Sequence, residues 1–348
     1  MAGADHLAGP MPNGSGIDAG LYSGLAGLAY TLEMTHRASG EARFRDAAIR
    51  TLNAITESTR PAENGVEWST STDIISGSAG TGLFLLWAHE HLGDPAARDM
   101  AAKAGFALIE RGQPDRGGLK WLVSPQVPRN YPNFSHGTAG VSYFLATLHR
   151  ATGERKFLDA ARAGAAYLEA LTTSTPNGGR LVFHSEPGNE QLFYLSWCHG
   201  PAGTARLYRR LAEVTGEKGY ATRVGEMAQA IVDMRVPERS PGFWNNISQC
   251  CGNSGVVEFF LDLHRTTKEP RYLEFARRVT ADTLQRATAE GAAMKWVQAE
   301  NRVSPDDLQA QTGLMQGAAG VGIAMLHLDG ILEKRAPFVV LPDNPFTA

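Results

Sequence analysis

A four-residue motif, G-x-[AS]-G, occurs six times in this chain of 348 residues and constrains its fold more than any other feature. Successive copies begin 53, 60, 63, 52 and 65 residues apart, and each opens an apolar run of helical length. Self-similarity of this kind is typical of proteins built from repeated structural units. The six copies occupy residues 24–27, 77–80, 137–140, 200–203, 252–255 and 317–320.

Each apolar run predicts an inner helix, and an amphipathic outer helix follows each of the first five. Several of the inner runs are apolar nearly all round, which is typical of a helix buried on every side. Short segments such as SGE, GD and TGE separate the two helices. Their glycine ends one helix, and the acidic residue suits the first turn of the next. The sequence therefore predicts six inner and five outer helices.

Two-helix units of this length either stack into an open solenoid or close into a ring. The periods of TPR, ankyrin and armadillo repeats are shorter, and their consensus residues are absent. We therefore predict an all-α fold, an α/α toroid with inner helices around a central cavity. Segments with aromatic residues between the helical pairs predict short strands at the end where sites usually lie. These segments are GVEWST, GGLKWLV, GGRLVFH, GFWNN and AAMKWVQ.

The charge and the N-terminus limit the classes of partner. Lys and Arg number 33 against 36 Asp and Glu, a net charge of −3 without any basic run, which argues against nucleic acid or an anionic membrane. Residues 1–20 lack the regions of a signal peptide and predict a flexible lead-in. No apolar run is long enough to span a bilayer. We expect a soluble, cytoplasmic protein whose residues 21–348 form a single toroid domain.

All three cysteines stand directly before a copy of the motif. Cys198 is two residues before the fourth copy, and Cys250 and Cys251 are two and one residues before the fifth. Because equivalent positions of a toroid face the same end of its cavity, these thiols are expected to converge. One cysteine is most often a small buried hydrophobe. Three converging thiols suit zinc and leave its fourth position open, as in catalytic zinc sites.

The histidines separate into structural and chemical candidates. His136 directly precedes the third motif, on the cysteine side of the ring, which favours a general acid or base. His199 directly precedes the fourth motif and is expected to line the pocket, with zinc ligation as the alternative. Four others end an inner helix, where a ring that suits the helix dipole is structural. These four, each twelve residues after the first motif glycine, are His36, His89, His149 and His264.

Three further residues near the motifs are candidates for the site. Asp73 stands four residues before the second motif, and its expected role is a helix cap or a loop anchor. A catalytic carboxylate is the alternative for Asp73. Tyr194 and Trp197 precede Cys198 closely, and we expect them, with His199, to contact the substrate.

These motifs, in this order, resemble those of the lanthionine synthetase C (LanC-like) cyclases. The segments that carry the resemblance are DIISGSAG, NFSHGTAG, SWCHGPAG, SQCCGNSG and GLMQGAAG, with LPDNPF at the tail. The resemblance extends over residues 20–346. It implies an α/α toroid around a single zinc ion. It also implies an enzyme that adds a peptide cysteine thiol to dehydroalanine or dehydrobutyrine, forming a thioether ring.

The resemblance also implies roles for individual residues. Cys198, Cys250 and Cys251 would be the zinc ligands, the last at a place that holds His in many members and Cys in another subset. His136 would be the acid or base, and Asp73 the catalytic aspartate. The substrate would be a dehydrated precursor peptide. A separate dehydratase, or a kinase and a lyase, would act first, because no such domain is recognisable before the toroid.

Two departures from the family pattern leave other functions open. Six motif copies occur where the family usually has seven, and Tyr194 stands where some members carry an arginine. One alternative is an enzyme that adds glutathione or another small thiol to electrophiles, and another is a non-catalytic, peptide-binding subunit of a modifying complex. Glycoside hydrolases and epimerases also form toroids, but a hydrolase of this kind needs paired carboxylates, where this chain has Cys and His.

Overall fold

Helices dominate the computed structural model, which describes residues 2–9, 16–127, 129–238, 243–244, 246–300, 302–335 and 339–346. Contacts divide the chain into two units, Met1–Asn130 with His136–Tyr167 and Tyr131–Ser135 with Leu168–Ala348. The single domain expected for residues 21–348 stays a prediction.

The helices follow the motif copies along the chain. Helices of the first unit are α1 (Ala2–Leu7), α2 (Leu25–Ser39), α3 (Ala42–Glu57), α4 (Ser78–Leu92), α5 (Pro95–Glu110) and α6 (Thr138–Thr152), and α7 (Arg155–Leu171) continues into the second unit. Those of the second unit are α8 (Pro201–Thr215), α9 (Lys218–Asp233), α10 (Asn253–Thr267), α11 (Pro270–Gln285) and α12 (Ala318–Leu332).

The predicted division into inner and outer helices is confirmed for the described part of the chain. Six helices, α2, α4, α6, α8, α10 and α12, begin directly after the first glycine of a motif. Helices α4 and α10 bury residues on every side. The outer helix α3 instead buries one face, which includes Phe44, Leu52 and Ile55. Helix α2 packs against α3, α4 against α5, α8 against α9 and α10 against α11.

The motif requires glycine because the chain doubles back on itself before each inner helix. In five of the six motif copies, a Cβ atom on the last glycine would overlap the backbone carbonyl oxygen of the residue six positions earlier. No other residue fits such a close approach without moving the backbone. The overlapping pairs are Gly27 with Leu21, Gly80 with Ile74, Gly203 with Trp197, Gly255 with Gln249 and Gly320 with Leu314.

Short strands join the helical pairs, and each of the five predicted segments contains one in its described part. The antiparallel pairs are β1 (Arg60–Ala62) with β2 (Gly65–Glu67), β3 (Gln113–Asp115) with β4 (Gly118–Lys120), β5 (Thr173–Ser174) with β6 (Arg180–Leu181), β9 (Thr288–Glu290) with β10 (Ala293–Lys295) and β11 (Gln298–Ala299) with β12 (Leu308–Gln309). One pair, β7 (Phe193–Tyr194) with β8 (Phe243–Trp244), is parallel.

The four repeated histidines make the same structural contact in four repeats. Each ring donates from Nδ1 to the carbonyl oxygen of the residue just before the outer helix, at 3.0 Å. The bond therefore joins the end of the inner helix to the start of its outer partner, and the predicted structural role is confirmed. The pairs are His36 with Glu41, His89 with Asp94, His149 with Glu154 and His264 with Glu269.

The N-terminal stretch contains a helix where the sequence predicts a flexible lead-in. Ala4 and Ala8 pack against a cluster that includes Leu32 and Phe44. Asp5 pairs with Arg43 at 2.5 Å. Ala4 of α1 and Ala8, directly after the helix, thus attach this stretch to α2 and α3, whereas residues 10–15 lie outside the described residues. No helix in the described ranges is long and apolar enough to cross a membrane.

Candidate functional site

Cys198, Cys250 and Cys251 form one buried cluster in the second unit. Their Sγ atoms all lie within 4.8 Å of one another. Sγ of Cys251 is 3.2 Å from that of Cys198 and 3.4 Å from that of Cys250. All three are free thiols and no more than 9% exposed. The structure thus brings together the three predicted ligands, while their role in binding metal stays a prediction.

Backbone hydrogen bonds between successive repeats hold the cysteines next to each other. The N–H of Cys198 donates to the carbonyl of Cys250 at 3.1 Å, and the N–H of Cys250 donates to Met315 at 2.9 Å. The N–H of Ser135 donates to Cys198 at 2.8 Å. All four residues stand two positions before a motif, so one repeat position forms a continuous ladder that carries two of the three thiols.

The donor set fits a zinc ion. Burial raises the pKa of the Cys198 thiol, and hydrogen bonds with the other two thiols raise it further. Hydrogen bonds with Cys198 and Cys250 lower the pKa of Cys251. In a tetrahedral site with Zn–S bonds of about 2.3 Å, sulfur atoms lie about 3.8 Å apart. Separating Sγ of Cys251 from the other two sulfur atoms by about half an ångström would therefore accommodate the ion.

Four aromatic rings pack together beside the cysteines. The ring of His184 lies 4.4 Å from that of Tyr194 and 4.5 Å from that of His199, between centroids. Tyr131 lies 5.2 Å from His199. Sequence reasoning placed His199 and Tyr194 here but missed Tyr131 and gave His184 no role. The sequence marks Tyr131 and His184 only as ring-bearing residues in segments that lead to an inner helix.

Tyr194 faces both the cysteines and an arginine from a distant segment. Burial raises the pKa of Tyr194, and the charges of Cys251 and Cys198 add to this effect, while a hydrogen bond with Arg302 opposes it. Some family members carry an arginine where this chain has Tyr194. Here the guanidinium of Arg302 contacts Tyr194 instead. Gln316 also makes a side-chain hydrogen bond with Cys251. No motif in the sequence indicates either contact.

Trp197 lies in the interior of the second unit, and its predicted contact with substrate stays a prediction. Its side chain is only 3% exposed. The indole N–H donates to Oδ2 of Asp343 at 2.9 Å, and the ring lies edge-to-face on Phe134 with centroids 5.7 Å apart. These contacts favour a positioning role for Trp197, next to Cys198 in the chain.

Asp73 and His136 form a pair in the first unit. Oδ2 of Asp73 accepts a hydrogen bond from Nδ1 of His136 at 2.5 Å. Oδ1 accepts the backbone N–H groups of Ser76 at 2.9 Å and Gly77 at 2.8 Å. Asp73 therefore anchors the loop and also orients the imidazole, while its catalytic role stays a prediction. Because the carboxylate accepts from Nδ1, Nε2 is the basic nitrogen of the neutral ring.

A buried network of charges lies on α10 and α12 of the second unit. Nδ1 of His327 contacts the two carboxylate oxygens of Glu258 at 2.8 and 2.9 Å. Asp262 pairs with Arg265 at 3.1 Å and accepts a hydrogen bond from Asn344 at 2.9 Å. Burial raises the pKa of Asp262 to about 6, with a smaller contribution from Glu258, against the charges of Arg206 and Arg265.

We expect Asp262→Asn to reduce the pH dependence of stability between pH 4 and pH 6. The native pKa of Asp262, about 6, lies above the usual value of 3.8, so the native state binds more protons in this window. The free energy of unfolding of the wild type therefore falls as pH rises through it, by about 3 kcal/mol from this residue. Urea unfolding of both proteins across this range measures the difference.

Asp233→Asn is the matched control for this pH experiment. Burial tends to raise the pKa of Asp233, but hydrogen bonds from Thr175, Asn177 and Gln229 outweigh it and lower this pKa. The stabilisation from Asp233 is therefore present above its usual pKa and lost as pH falls, the opposite sign. Equal slopes in the wild type and in Asp262→Asn would contradict the prediction.

The helical repeats define an all-α repeat protein, and its buried cluster of three cysteines defines a candidate metal site. A family model described as "Lanthionine synthetase C-like protein" matches residues 13–341. The chain belongs to this family, as the order of its motifs predicts.

Solved structures share the fold at low sequence identity. Nisin cyclase matches with a TM-score of 0.68 at 16% identity, over 94% of this chain and 80% of that chain. A sugar epimerase from a ruminal bacterium matches with a TM-score of 0.60 at 14% identity, over 92% of each chain. An inactive α-1,6-mannanase variant from Salegentibacter sp., in complex with α-1,6-mannotriose, matches with a TM-score of 0.56 at 14% identity, over 88% of each. The predicted class, an all-α fold of the α/α-toroid type, is confirmed.

Proposed function

We propose that the protein is a zinc-dependent cyclase that forms thioether rings in a dehydrated precursor peptide. A cysteine thiol of the peptide would add to a dehydroalanine or dehydrobutyrine residue of the same peptide. The observation that carries the proposal is the buried cluster of three thiols within 4.8 Å in a chain of the LanC-like family. The likeness to nisin cyclase supports it.

Cys198, Cys250 and Cys251 would hold one zinc ion and leave its fourth position to the substrate. When bound, zinc would deprotonate a thiol whose usual pKa is about 8.5 and hold it as a nucleophile. Three thiolate ligands leave a divalent ion with a net charge of about −1, more electron-rich than a site with two thiolates and a histidine. We therefore expect the substrate sulfur to be strongly nucleophilic at this centre.

His136 would serve as the acid of the reaction, and Asp73 would orient it. Addition forms a bond between sulfur and the β-carbon, moves the π electrons into an enolate, and ends when the α-carbon takes up a proton. The thiol loses one proton and the α-carbon gains one, so neither an oxidant nor a reductant is needed. The side chain of His136 is 34% exposed, so a peptide can reach it. Asp73 would stabilise the imidazolium through Nδ1.

The ring cluster around His199 and Tyr194 would line the peptide-binding pocket. Aromatic and imidazole rings offer both apolar area and hydrogen-bonding groups to a backbone. The guanidinium of Arg302, which contacts Tyr194, would provide positive charge near the enolate. We propose that a separate dehydratase, or a kinase and a lyase, supplies the dehydrated peptide. We also place the reaction in the cytoplasm, where thiols stay reduced.

The proposal is tested by assaying the wild-type protein for zinc and for ring formation together. We expect about one zinc ion per chain, the stoichiometry of a single three-ligand site. A dehydrated peptide with one cysteine should lose its reactivity toward N-ethylmaleimide, because cyclisation consumes the thiol without changing the mass. A peptide in which serine replaces the dehydro residue is the control. Zinc-loaded protein that leaves every thiol reactive would contradict the proposal.

Glutathione added to the same assay separates the cyclase from the two alternatives. A cyclase should yield cyclised peptide even in the presence of excess glutathione. A small-thiol-adding enzyme would instead increase the mass of the peptide by one glutathione. A non-catalytic subunit would bind the peptide without converting it.

A further inference from the structure

The C-terminal segment 339–346 contacts the repeat that carries Cys198. Asp343, the one acidic residue of this segment, is 0% exposed. Its Oδ2 accepts the indole N–H of Trp197 at 2.9 Å and pairs with Nη1 of Arg206 at 3.1 Å. The same guanidinium nitrogen donates to the carbonyl oxygen of Asp343 at 2.8 Å. Trp197 directly precedes Cys198, and Arg206 lies on α8, the helix that follows it.

The same segment also contacts the repeat that carries the other two cysteines. Nδ2 of Asn344 donates to Oδ2 of Asp262 at 2.9 Å. The ring of Phe346 lies edge-to-face on Phe259, with centroids 5.8 Å apart. Both partners lie on α10, which begins two residues after Cys251. Segment 339–346 therefore bridges α8 and α10, the two inner helices whose N-terminal loops carry all three thiols.

The hydrogen bond between Asp343 and Trp197 can affect the position of Cys198 through the backbone. A Cβ on Gly203 would overlap the carbonyl oxygen of Trp197, so the backbone of Trp197 lies tightly against the first turn of α8. A close-packed backbone transmits a displacement instead of absorbing it. Movement of the Trp197 indole would thus shift the backbone of Cys198.

We propose that segment 339–346 is a strap that positions the metal ligands, with Asp343 as its principal positioning residue. The inference rests on the zinc site of the proposed function. Groups that orient the ligands of a metal typically change its affinity about 10- to 100-fold when they are removed. Arg206 and Trp197 both bond the buried carboxylate, which satisfies a charge that would otherwise be costly to bury. The strap would thus hold the three cysteine sulfur atoms in the positions that zinc binding requires.

The test measures zinc affinity in Asp343→Asn, with zinc alone as the probe. We expect the dissociation constant, from competition with a chromophoric chelator, to rise about 10- to 100-fold. The measurement is made at a temperature at which circular dichroism shows every variant folded. Asp233→Asn is the matched control, because it weakens carboxylate contacts of the second unit with Thr175 and Asn177. It should lower the urea midpoint while leaving zinc affinity unchanged.

A double-mutant cycle with Trp197→Phe tests the route to Cys198. Phenylalanine keeps the apolar ring but removes the N–H that Asp343 accepts. If both residues act through one bond, the double variant binds zinc as weakly as the weaker single variant. Additive losses would overturn the strap, as would an unchanged dissociation constant in Asp343→Asn. Trp197→Phe alone also tests the strap where Asp343→Asn does not fold.

A metal-free readout separates failure of the strap from failure of the proposed function. In the apo protein, Asp343→Asn should accelerate alkylation of the cluster thiols, because the loops that bury them are less firmly held. An unchanged alkylation rate in Asp343→Asn would overturn the strap, as an unchanged zinc affinity would. Absence of zinc from the wild type would overturn the proposed function instead, while the alkylation rate would still decide on the strap.

Discussion

Cys198→Ala will remove zinc from the protein and abolish ring formation. Structural zinc sites contribute about 10–16 kcal/mol of apparent binding free energy. The loss of one of three protein ligands therefore costs about 4 kcal/mol, or about 1,000-fold in affinity. Cys198 lies at the junction of the cluster, bonded through its backbone to Cys250 and 3.2 Å from the sulfur of Cys251. The two remaining thiols cannot complete a site with three protein ligands.

Elemental analysis of the purified variant checks this result. Ser135→Ala is the matched control, because Ser135 occupies the same position of the preceding repeat and is equally buried. Its contact with Cys198 is a backbone hydrogen bond, which alanine preserves, so this variant should keep its zinc. Full zinc content in Cys198→Ala would eliminate the cysteine centre as the metal site.

His136→Asn will spare zinc but slow cyclisation about 100- to 10,000-fold, the usual contribution of a positioned acid or base. Asparagine cannot donate a proton in the way an imidazolium can, yet it can still hydrogen-bond Asp73. The loop anchored by Asp73 through Ser76 and Gly77 should therefore stay folded. Single-turnover kinetics on a dehydrated peptide measure the effect on the chemical step.

His149→Asn provides the control within the same repeat. His149 lies at the other end of α6 and donates to the carbonyl of Glu154. Its replacement should lower the free energy of unfolding by about 1 kcal/mol and leave the rate of cyclisation unchanged. If His136→Asn instead loses the metal while its activity is unchanged, the acid assignment is wrong.

Much of the fold was predictable because the repeats within the chain can be aligned with one another. Six copies of one motif place every inner helix, and the overlap of Gly203 with the Trp197 carbonyl shows why the motif tolerates only glycine at its end. Repetition also identified His36 and its equivalents as structural, since a catalytic group would not recur in four repeats. Residues 1–20 were the exception. Helix α1 is stabilised by packing on Phe44, and no copy of the motif indicates it in the sequence.

The surroundings of the candidate site were less predictable than its cysteines. Asp343 bonds Trp197 across 146 positions of the chain, and Arg302 contacts Tyr194 from another loop. Such contacts have no local period and depend on how distant loops meet. Trp197 illustrates the consequence: its place beside Cys198 suggested contact with substrate, whereas burial against Phe134 and Asp343 favours a positioning role.

The sequence by itself determined the helical pairs and the repeat position shared by the cysteines, because glycine requirements and apolar periodicity are local properties of the chain. Only the tertiary structure decided that adjacent Cys250 and Cys251 both direct their sulfur toward Cys198. It also decided that one carboxylate of Asp73 serves both the loop and His136. A repeat position defines where a backbone lies, but the direction of a side chain and its partners depend on turns and packing between distant segments.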